Sequence, residues 1–351
     1  MPKNAKGVES VLYRKYRPQT FKEILGQDHI VRVLEGSIKR GNIAHAYLFA
    51  GSRGTGKTSL ARILARAAGV STNDLYEIDA ASNRGIDDIR ELREAVNTLP
   101  FESPYKVYIV DEAHMLTKEA FNALLKTLEE PPSHVIFILA TTEVHKLPET
   151  IVSRCQAYTF KKPSQKILKD MIVSVAKKEG FTLDSSAADL IAFLSDGSFR
   201  DAHGVLQKII FSSSDKKVSI DEVEKVTGAP QAMLINRTIE AIDRGDIGET
   251  LLKIQESLNK GVDVKIFLTL LLHKIRFILL LRFSKGLESH IEEQFANEDF
   301  LFLKKISGDK NSHINAALLG ELLNAYTYIG LSHVPQLPIE LALIKVLGPS
   351  E

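Results

Sequence analysis

The sequence predicts an α/β domain built on a parallel β-sheet, followed by two helical domains. Over roughly the first 160 residues, short apolar runs alternate with amphipathic stretches, the pattern of strands and helices packed in layers. From Pro163 onward the strand pattern fades and helical periodicity continues. We therefore expect a sheet domain over residues 1–162 and helical domains over 163–228 and 229–351, with breaks near SSSDKK and TGAP.

The composition is that of an ordinary globular protein. The chain has 351 residues, 44% of them hydrophobic and 25% charged, which is enough for two or three domains with separate cores. A net charge of +1 excludes a general electrostatic attraction to nucleic acid, so any such contact must be local. One cysteine excludes an internal disulfide and a zinc site of four thiolates. With no apolar signal segment at the N-terminus, we expect a cytoplasmic protein.

The most apolar run of the chain is Ile266–Phe283. Four side chains, His273, Lys274, Arg276 and Arg282, interrupt it, so no uncharged span of about 18 residues exists. The run therefore predicts no membrane helix and no membrane partner. It predicts a helix that is apolar on most faces and is buried, either in an internal core or against partner subunits.

Five short apolar runs are the candidate strands. They are AYLFAG at 46–51, LYEIDA at 75–80, KVYIVDEA at 106–113, HVIFILATT at 134–142 and AYTF at 157–160. Before the fourth run, KEAFNALLKTLEEPP places its large apolar residues on one helical face and ends in a proline pair that stops a helix. These residues are Phe121, Leu124, Leu125 and Leu128, followed by Pro131 and Pro132.

The segment GSRGTGKT lies between the first strand and the helical SLARILARAA, and it has the spacing G-x-x-x-x-G-K-[ST]. Its glycines let successive N–H groups turn toward a phosphate, and the helix N-terminus adds a favourable dipole. Lys57 is expected to neutralise the β and γ phosphates, and Thr58 to place its hydroxyl on Mg²⁺. A chance glycine-rich turn is disfavoured because a strand and a helix flank the loop. The expected nucleotide-binding residues are Gly51, Ser52, Arg53, Gly54, Thr55, Gly56, Lys57, Thr58 and Ser59.

Two acids follow the next long strand. We expect Asp111 to hold Mg²⁺ and Glu112 to orient and activate the attacking water. A solvated turn is the alternative, but the acids end the apolar run Val107–Val110, where ligands lie in parallel sheets. Thr142, after the following strand, could sense the γ phosphate. The letters DEAH also occur in helicases, which consist of two motor lobes. The C-terminal half of this chain is helical and has no pattern of a second motor lobe, so the letters alone do not indicate a helicase.

The segment PETIVSRCQ holds the one cysteine of the chain, Cys155, directly after Arg154. Either residue could carry chemistry, the thiol as a nucleophile or the guanidinium as a fixed positive charge. A nucleophilic cysteine needs a paired base, and nothing in the local sequence identifies one.

Five segments together resemble the gamma/tau subunits of the bacterial DNA polymerase III clamp loader, which are AAA+ ATPases. They are YRKYRPQTFKEILGQ, HAYLFAGSRGTGKTS, EIDAASNRGIDDIREL, VYIVDEAHMLTKEAFNALLKTLEEPP and ATTEVHKLPETIVSRCQ. The resemblance covers about the first 160 residues and continues more weakly through GSFRDAHGVLQ. It implies an AAA+ P-loop NTPase domain, an all-α lid and an all-α collar, with Mg²⁺-dependent ATP hydrolysis.

The resemblance also implies roles for particular residues. Arg154 matches an arginine finger that reaches into the ATP site of a neighbouring subunit, and Cys155 is then a small buried residue. Thr142 matches the first sensor position.

The remaining matches lie outside the strongest segments. Arg200, in GSFRDA, resembles the second sensor, a lid arginine that touches the γ phosphate; its alternative is an exposed helix cation. Tyr13, Arg17 and Pro18 resemble a clamp over the adenine and ribose, unless this segment merely pins the N-terminus.

By the same resemblance, the chain is expected to work with copies of itself, delta and delta-prime, to open the sliding clamp and to load it onto primer-template DNA. Arg84, Lys118 and Thr150 are candidate phosphate contacts, with ordinary solvated side chains as the alternative. Membership of the holoenzyme implies classification with DNA-directed DNA polymerases, although no polymerase site is seen in the sequence.

The chain departs from the family pattern where most members carry a four-cysteine zinc module. ARAAGVSTNDLYEIDAASN closes that gap without cysteine, so no zinc is expected. The chain ends at Glu351, either as a short gamma-like product or as a shortened tau.

Two other functions stay open. One is another oligomeric AAA+ DNA motor, of the branch-migration or helicase-loader type, which would lack DAASN and LEEPP in this order. The other is a non-hydrolysing stator subunit, which usually loses the phosphate loop.

Overall fold

The protein is described by a computed structural model, which covers residues 11–82, 85, 92, 94–213, 215–292, 295 and 297–349. Its main sheet has five strands, all parallel, in the order β2-β3-β4-β1-β5. The strands are β1 (Ala46–Ala50), β2 (Leu75–Asp79), β3 (Lys106–Asp111), β4 (Val135–Thr141) and β5 (Gln156–Thr159). The predicted fold class and all five predicted strands are confirmed.

Sixteen α-helices are found in the described residues. The first eight are α1 (Leu12–Lys15), α2 (Asp28–Lys39), α3 (Lys57–Ala67), α4 (Lys118–Glu129), α5 (Glu149–Val152), α6 (Gln165–Lys178), α7 (Ser185–Leu194) and α8 (Phe199–Ser212). The others are α9 (Ile220–Thr227), α10 (Ala232–Asp243), α11 (Ile247–Asn259), α12 (Val264–Phe283), α13 (Glu288–Glu292), α14 (Asn297–Ser307), α15 (Ala316–Tyr328) and α16 (Leu337–Leu347). Two two-residue strands, β6 (Thr182–Leu183) and β7 (Lys217–Val218), pair in parallel.

The central strands are buried on both faces, which explains their continuous apolar sequence. In β3, Val107 and Ile109 pack on one face and Tyr108 and Val110 on the other, all with at most 2% exposure. Helix α4 covers the second face with the apolar side predicted for it, and its N-terminus is capped by the Thr117 hydroxyl. Side chains alternate between the two faces of each strand, so the backbone at the strand ends is held rigidly from both sides.

By its contacts the chain divides into two compact units. The first is Met1–Val175 with Ser195–Gln207 and contains the sheet; the second is Ala176–Leu194 with Lys208–Glu351 and is mainly helical. The predicted domain boundaries after residues 162 and 228 stay a prediction.

Helix α12 is the apolar helix predicted from the run Ile266–Phe283. Leu271 and Phe277 are 0% and 3% exposed and belong to the internal core of the helical unit. Of the two alternatives for these residues of α12, an internal core or partner subunits, the structure shows the internal core, because helices of the same unit already cover them. An all-round apolar pattern indicates burial but does not identify what buries it.

Within the described part of the chain, no helix is long and apolar enough to cross a bilayer. The same residues contain no group of three or more His, Cys, Asp or Glu side chains arranged to hold a metal ion.

Candidate functional site

The loop after β1 takes a conformation that its glycines make possible. Gly54 and Gly56 have φ of 74° and 101°, in the left-handed region that favours glycine. A Cβ added to Gly54 would lie 2.0 Å from Ser198 Oγ, and the Gly54 carbonyl accepts a hydrogen bond of 3.0 Å from Phe199 N–H. The loop is therefore packed against the start of α8, and helix α3 begins beneath it at Lys57.

Lys57 lies inside this loop, with 6% exposure. Its Nζ donates hydrogen bonds to the carbonyl oxygens of Gly51 and Ser52, at 2.7 and 2.9 Å. Burial lowers the pKa of the Lys57 ammonium, while Glu112 and Asp111 act in the opposite direction. The first turn of α3 and this ammonium together give the loop the positive character that a polyphosphate requires.

Thr58 and Asp111 meet although 53 residues separate them in sequence. The Thr58 hydroxyl donates a hydrogen bond of 2.8 Å to Asp111 Oδ2, because α3 starts at the same edge of the sheet where β3 ends. A hydroxyl beside a carboxylate supplies the hard oxygen ligands that Mg²⁺ prefers, with the remaining positions left for water and phosphate oxygens. These two residues fit a magnesium ion bound together with a nucleotide.

Glu112 has φ of 48°, one of two positive values at non-glycine residues in the described chain. Such backbone is costly and is concentrated at functional sites. The Thr142 hydroxyl donates a hydrogen bond of 3.0 Å to Glu112 Oε2, and the Glu112 N–H donates to Asp111 Oδ1 at 3.0 Å. The structure thus brings Lys57, Thr58 and the residues after β3 and β4 to one edge of the sheet.

Sequence reasoning missed His114, which lies beside these acids. Its Nδ1 is 3.1 Å from Thr141 Oγ1 and 3.5 Å from Glu112 Oε2, and its Nε2 is 3.4 Å from Glu143 Oε1. The residue stands inside the DEAH string, but the string alone does not predict which side chains surround the imidazole.

Arg154 contacts residues outside the phosphate loop and outside the acids that follow β3. Its guanidinium donates to Glu129 Oε1 at 2.7 Å and to the Thr150 carbonyl at 2.8 Å, and it also reaches the Ser153 hydroxyl. None of these partners belongs to the phosphate loop. Glu129 was also missed, although it belongs to the LEEPP segment, because its 25-residue separation from Arg154 leaves no local signal.

Arg200 and the N-terminal segment meet in the sheet-containing unit. The Arg200 guanidinium carbon lies 5.7 Å from the centre of the Tyr13 ring, within the range of a cation–π contact. Burial lowers the pKa of Arg17, and the nearby charge of Arg62 lowers it further. Pro18 is half-buried next to it. The expected lid arginine and the expected adenine clamp are therefore neighbours.

Of the three candidate DNA contacts, the structure describes Lys118 and Thr150. Arg84 lies outside the described residues. Lys118 is exposed at the first position of α4, and Thr150 is exposed in α5. Both lie near helix N-termini, where backbone N–H groups also favour phosphate.

Cys155 is half-buried and packs against the core on the α4 face of the sheet. Burial raises the pKa of its thiol to about 11. Near neutral pH the group is therefore a neutral thiol, which does not support a nucleophilic role.

We expect Cys155 to react slowly with a disulfide reagent such as dithionitrobenzoate. A thiol with a pKa of about 11 in place of 9.0 has roughly 100-fold less thiolate at pH 7.5. Because the thiolate is the reactive form, the rate should rise tenfold per pH unit up to about pH 11. The chain unfolded in denaturant serves as control and should react like free cysteine. A native rate equal to that control at pH 7.5 would contradict this view of Cys155.

Two family models match the sequence. The model of the DNA polymerase III delta subunit matches residues 68–164, and that of domain III of DNA polymerase III subunits gamma and tau matches residues 218–351. Together they cover parts of the sheet-containing unit and most of the helical unit.

Curated relatives extend the similarity to nearly the whole chain. DNA polymerase III subunit tau of Bacillus subtilis is 35% identical over 97% of this chain, which spans 63% of the relative. Subunit tau of Escherichia coli is 37% identical over 77% of this chain, which spans 46% of it. The chain thus spans less than two thirds of the length of these relatives.

Among solved structures, the Thermotoga maritima RuvB Holliday junction branch migration motor aligns with a TM-score of 0.53 and 22% identity. The alignment covers 65% of this chain and 79% of that one. At this identity the likeness shows a shared fold and nothing about function.

Proposed function

Since the chain belongs to the family of DNA polymerase III gamma and tau subunits, we propose that it is an ATP-hydrolysing motor subunit of the clamp loader. In this role it opens the sliding clamp and loads it onto primed DNA, together with copies of itself, delta and delta-prime. The enzyme is an ATPase that uses Mg²⁺. Primer-template DNA is bound through its backbone, without reading bases.

The observation that carries the proposal is the meeting of four side chains from three sequence segments. Thr58 bonds Asp111, and Thr142 bonds Glu112, at 2.8 and 3.0 Å. This arrangement of a phosphate loop, two acids and a polar sensor at strand ends supports phosphoryl transfer to water. A stator subunit without hydrolysis does not need Glu112 in this position.

In the proposed reaction, the backbone of Gly51–Thr58 and Lys57 bind the β and γ phosphates of the substrate ATP. Glu112 orients the attacking water and takes its proton, and Thr142 holds the Glu112 carboxylate. Thr58 and Asp111 would hold a Mg²⁺ ion, which would neutralise charge on the phosphates. Arg200 contacts the γ phosphate from α8 and links the nucleotide state to the position of that helix.

We assign Arg154 to the site of a neighbouring subunit. Its guanidinium is half-exposed, with 34% side-chain exposure, and is paired with Glu129, which is 48% exposed. An ion pair this exposed contributes about 0–1 kcal/mol, so little free energy opposes its exchange for a phosphate of another subunit. A fixed charge supplied in trans makes hydrolysis depend on assembly.

Assembly itself is proposed to use an exposed apolar face of the helical unit. Six large apolar side chains of α15, α16 and the connection between them are between 42% and 78% exposed. Residues buried at an interface of this kind contribute about 1.5–3 kcal/mol each. The residues of this apolar face are Leu323, Tyr328, Leu331, Leu337, Leu341 and Ile344.

Replacing Leu331 and Leu341 with glutamate should weaken self-association by at least about 100-fold, since each loses roughly 1.5–3 kcal/mol of burial. Sedimentation velocity over a range of concentrations measures this effect. Val33→Glu, at a 50% exposed position of α2, is the matched control and should associate as wild type does. Unchanged association of the double variant would contradict the assignment of this face.

The function is tested by the rate of ATP hydrolysis with sliding clamp, with primed DNA, and with both, in the presence of the partner subunits. The proposal expects strong stimulation only when clamp and primed DNA are present together. Stimulation by four-way or forked DNA in place of the clamp would instead support a branch-migration or helicase-loading motor.

A further inference from the structure

Three polar side chains of helix α8, those of Arg200, His203 and Gln207, are spaced three and four residues apart. This spacing places them on one face of the helix. All three meet the short helix α1 or the residue after it. Arg200 lies over the Tyr13 ring, the His203 ring is nearly parallel to that of Tyr16, and Gln207 accepts a hydrogen bond of 3.0 Å from Leu12 N–H.

This face of α8 leads away from the phosphate loop. Phe199, at the start of the helix, bonds Gly54, and His203 follows about 6 Å further along the helix axis. Tyr13, which the family resemblance assigns to the adenine and ribose, lies against Arg200 on the same face of α8. His203 is therefore placed for the base rather than for the phosphates.

The protonation of His203 follows from its contacts. Nδ1 is 2.6 Å from the Phe199 carbonyl oxygen, and since that oxygen can only accept, Nδ1 carries the proton. Nε2 of the neutral ring is then a hydrogen-bond acceptor. Burial lowers the pKa of His203, although the bond to Phe199 acts in the opposite direction, so the neutral form is favoured near pH 7.

Nε2 has no partner in the described structure. His203 is 7% exposed, and its Nε2 is buried without a hydrogen bond. A buried acceptor left unsatisfied is costly, so a ligand that donates a hydrogen bond to it recovers this free energy. Adenine carries an amine donor at its six-position, whereas guanine and hypoxanthine carry an oxygen acceptor there.

We propose that His203 selects adenine nucleotides by accepting a hydrogen bond from the six-amino group through Nε2. This inference rests on the proposed function, because it assumes that the loop binds a nucleotide.

The test measures equilibrium binding of ADP and of inosine diphosphate to the full chain with Mg²⁺, by calorimetry. Inosine diphosphate differs in presenting an acceptor where ADP presents the amine. We expect wild type to prefer ADP roughly tenfold or more, because two acceptors would otherwise face each other. Binding of neither nucleotide would contradict the proposed function and this inference together. Equal binding of both would contradict this inference alone.

Two variants have opposite signatures. His203→Leu removes the acceptor and should lower ADP affinity roughly tenfold while changing inosine diphosphate little. His203→Gln can accept or donate through its amide, so it should keep ADP affinity and raise that for inosine diphosphate. Both variants should therefore prefer ADP less than wild type does. In His203→Leu the reason is weaker binding of ADP, and in His203→Gln it is tighter binding of inosine diphosphate.

His273→Leu provides the matched control, since it replaces a half-buried histidine of α12 in the helical unit. It should leave both affinities as in wild type. If His203→Leu fails to fold, His203→Gln alone decides the matter. A wild-type preference for ADP retained in His203→Gln would overturn the proposal.

Discussion

Replacing Glu112 with glutamine is expected to lower the rate of ATP hydrolysis by roughly 10²- to 10⁴-fold, because the amide cannot take a proton from the attacking water. The substitution keeps the size of the side chain and its ability to accept a hydrogen bond from Thr142, which lies 3.0 Å away. Nucleotide binding depends on the loop and Lys57 and should stay within about twofold of wild type. Steady-state hydrolysis and equilibrium binding of ATP measure the two effects separately.

Glu35→Gln is the control for this change, since it makes the same substitution at a half-buried position of α2. Its rate should match that of wild type. If Glu112→Gln hydrolysed ATP at the wild-type rate, Glu112 would not be the base. If it lost ATP binding instead, the residue would belong to the binding site and not to the chemical step.

Arg154→Ala is expected to lower hydrolysis by the assembled protein by roughly 10³- to 10⁵-fold, the range for an arginine finger supplied by a neighbour. The same variant should bind ATP normally, since the contacts of Arg154 in its own chain are with Glu129, Thr150 and Ser153. Hydrolysis and ATP binding by the variant, assembled with its partner subunits, test this.

Arg154→Lys distinguishes charge from geometry. Lysine keeps the positive charge but lacks the planar fork of the guanidinium, so only part of the lost rate should return. Arg40→Ala, at an exposed position after α2, is the matched control. Loss of ATP affinity in Arg154→Ala without loss of turnover would count against the finger.

The sheet and the phosphate loop could be predicted because their signals are local. Strands β3 and β4 are buried on both faces and therefore consist of continuous apolar runs that stand out in the sequence. The loop needs glycine where φ is positive, as at Gly54 and Gly56, and its lysine follows at a fixed spacing. In these segments the structural requirement, burial of both strand faces or a positive φ, directly dictates the residue types that appear in the sequence.

Contacts between distant segments could not be predicted. Gly54 owes its lack of a side chain partly to Ser198, which is far along the chain. Asp74 accepts hydrogen bonds from the backbone N–H groups of Phe101, Glu102 and Ser103, which holds a loop that has no pattern of its own. Such contacts form only in the tertiary fold, and no local pattern in a single sequence predicts them.

The apolar helix α12 shows a different limit. Its sequence predicts burial correctly, but an internal core and a subunit interface require the same side chains. Only the packing of Leu271 and Phe277 among the helices of their own unit separates the two. The apolar face proposed for assembly lies on α15 and α16, which are also apolar on most faces, so their sequences too predict burial without identifying what buries them.

We propose that each ATP site is completed by Arg154 of an adjoining subunit. To test this claim, two inactive chains, Arg154→Ala and Lys57→Ala, are co-assembled with the partner subunits. In a random equal mixture, half times half, or about one quarter, of the head-to-tail interfaces between copies join an intact loop to an intact arginine. We predict that the mixture recovers hydrolysis toward this fraction, while each variant assembled alone stays inactive. A mixture no more active than its two components would contradict the claim.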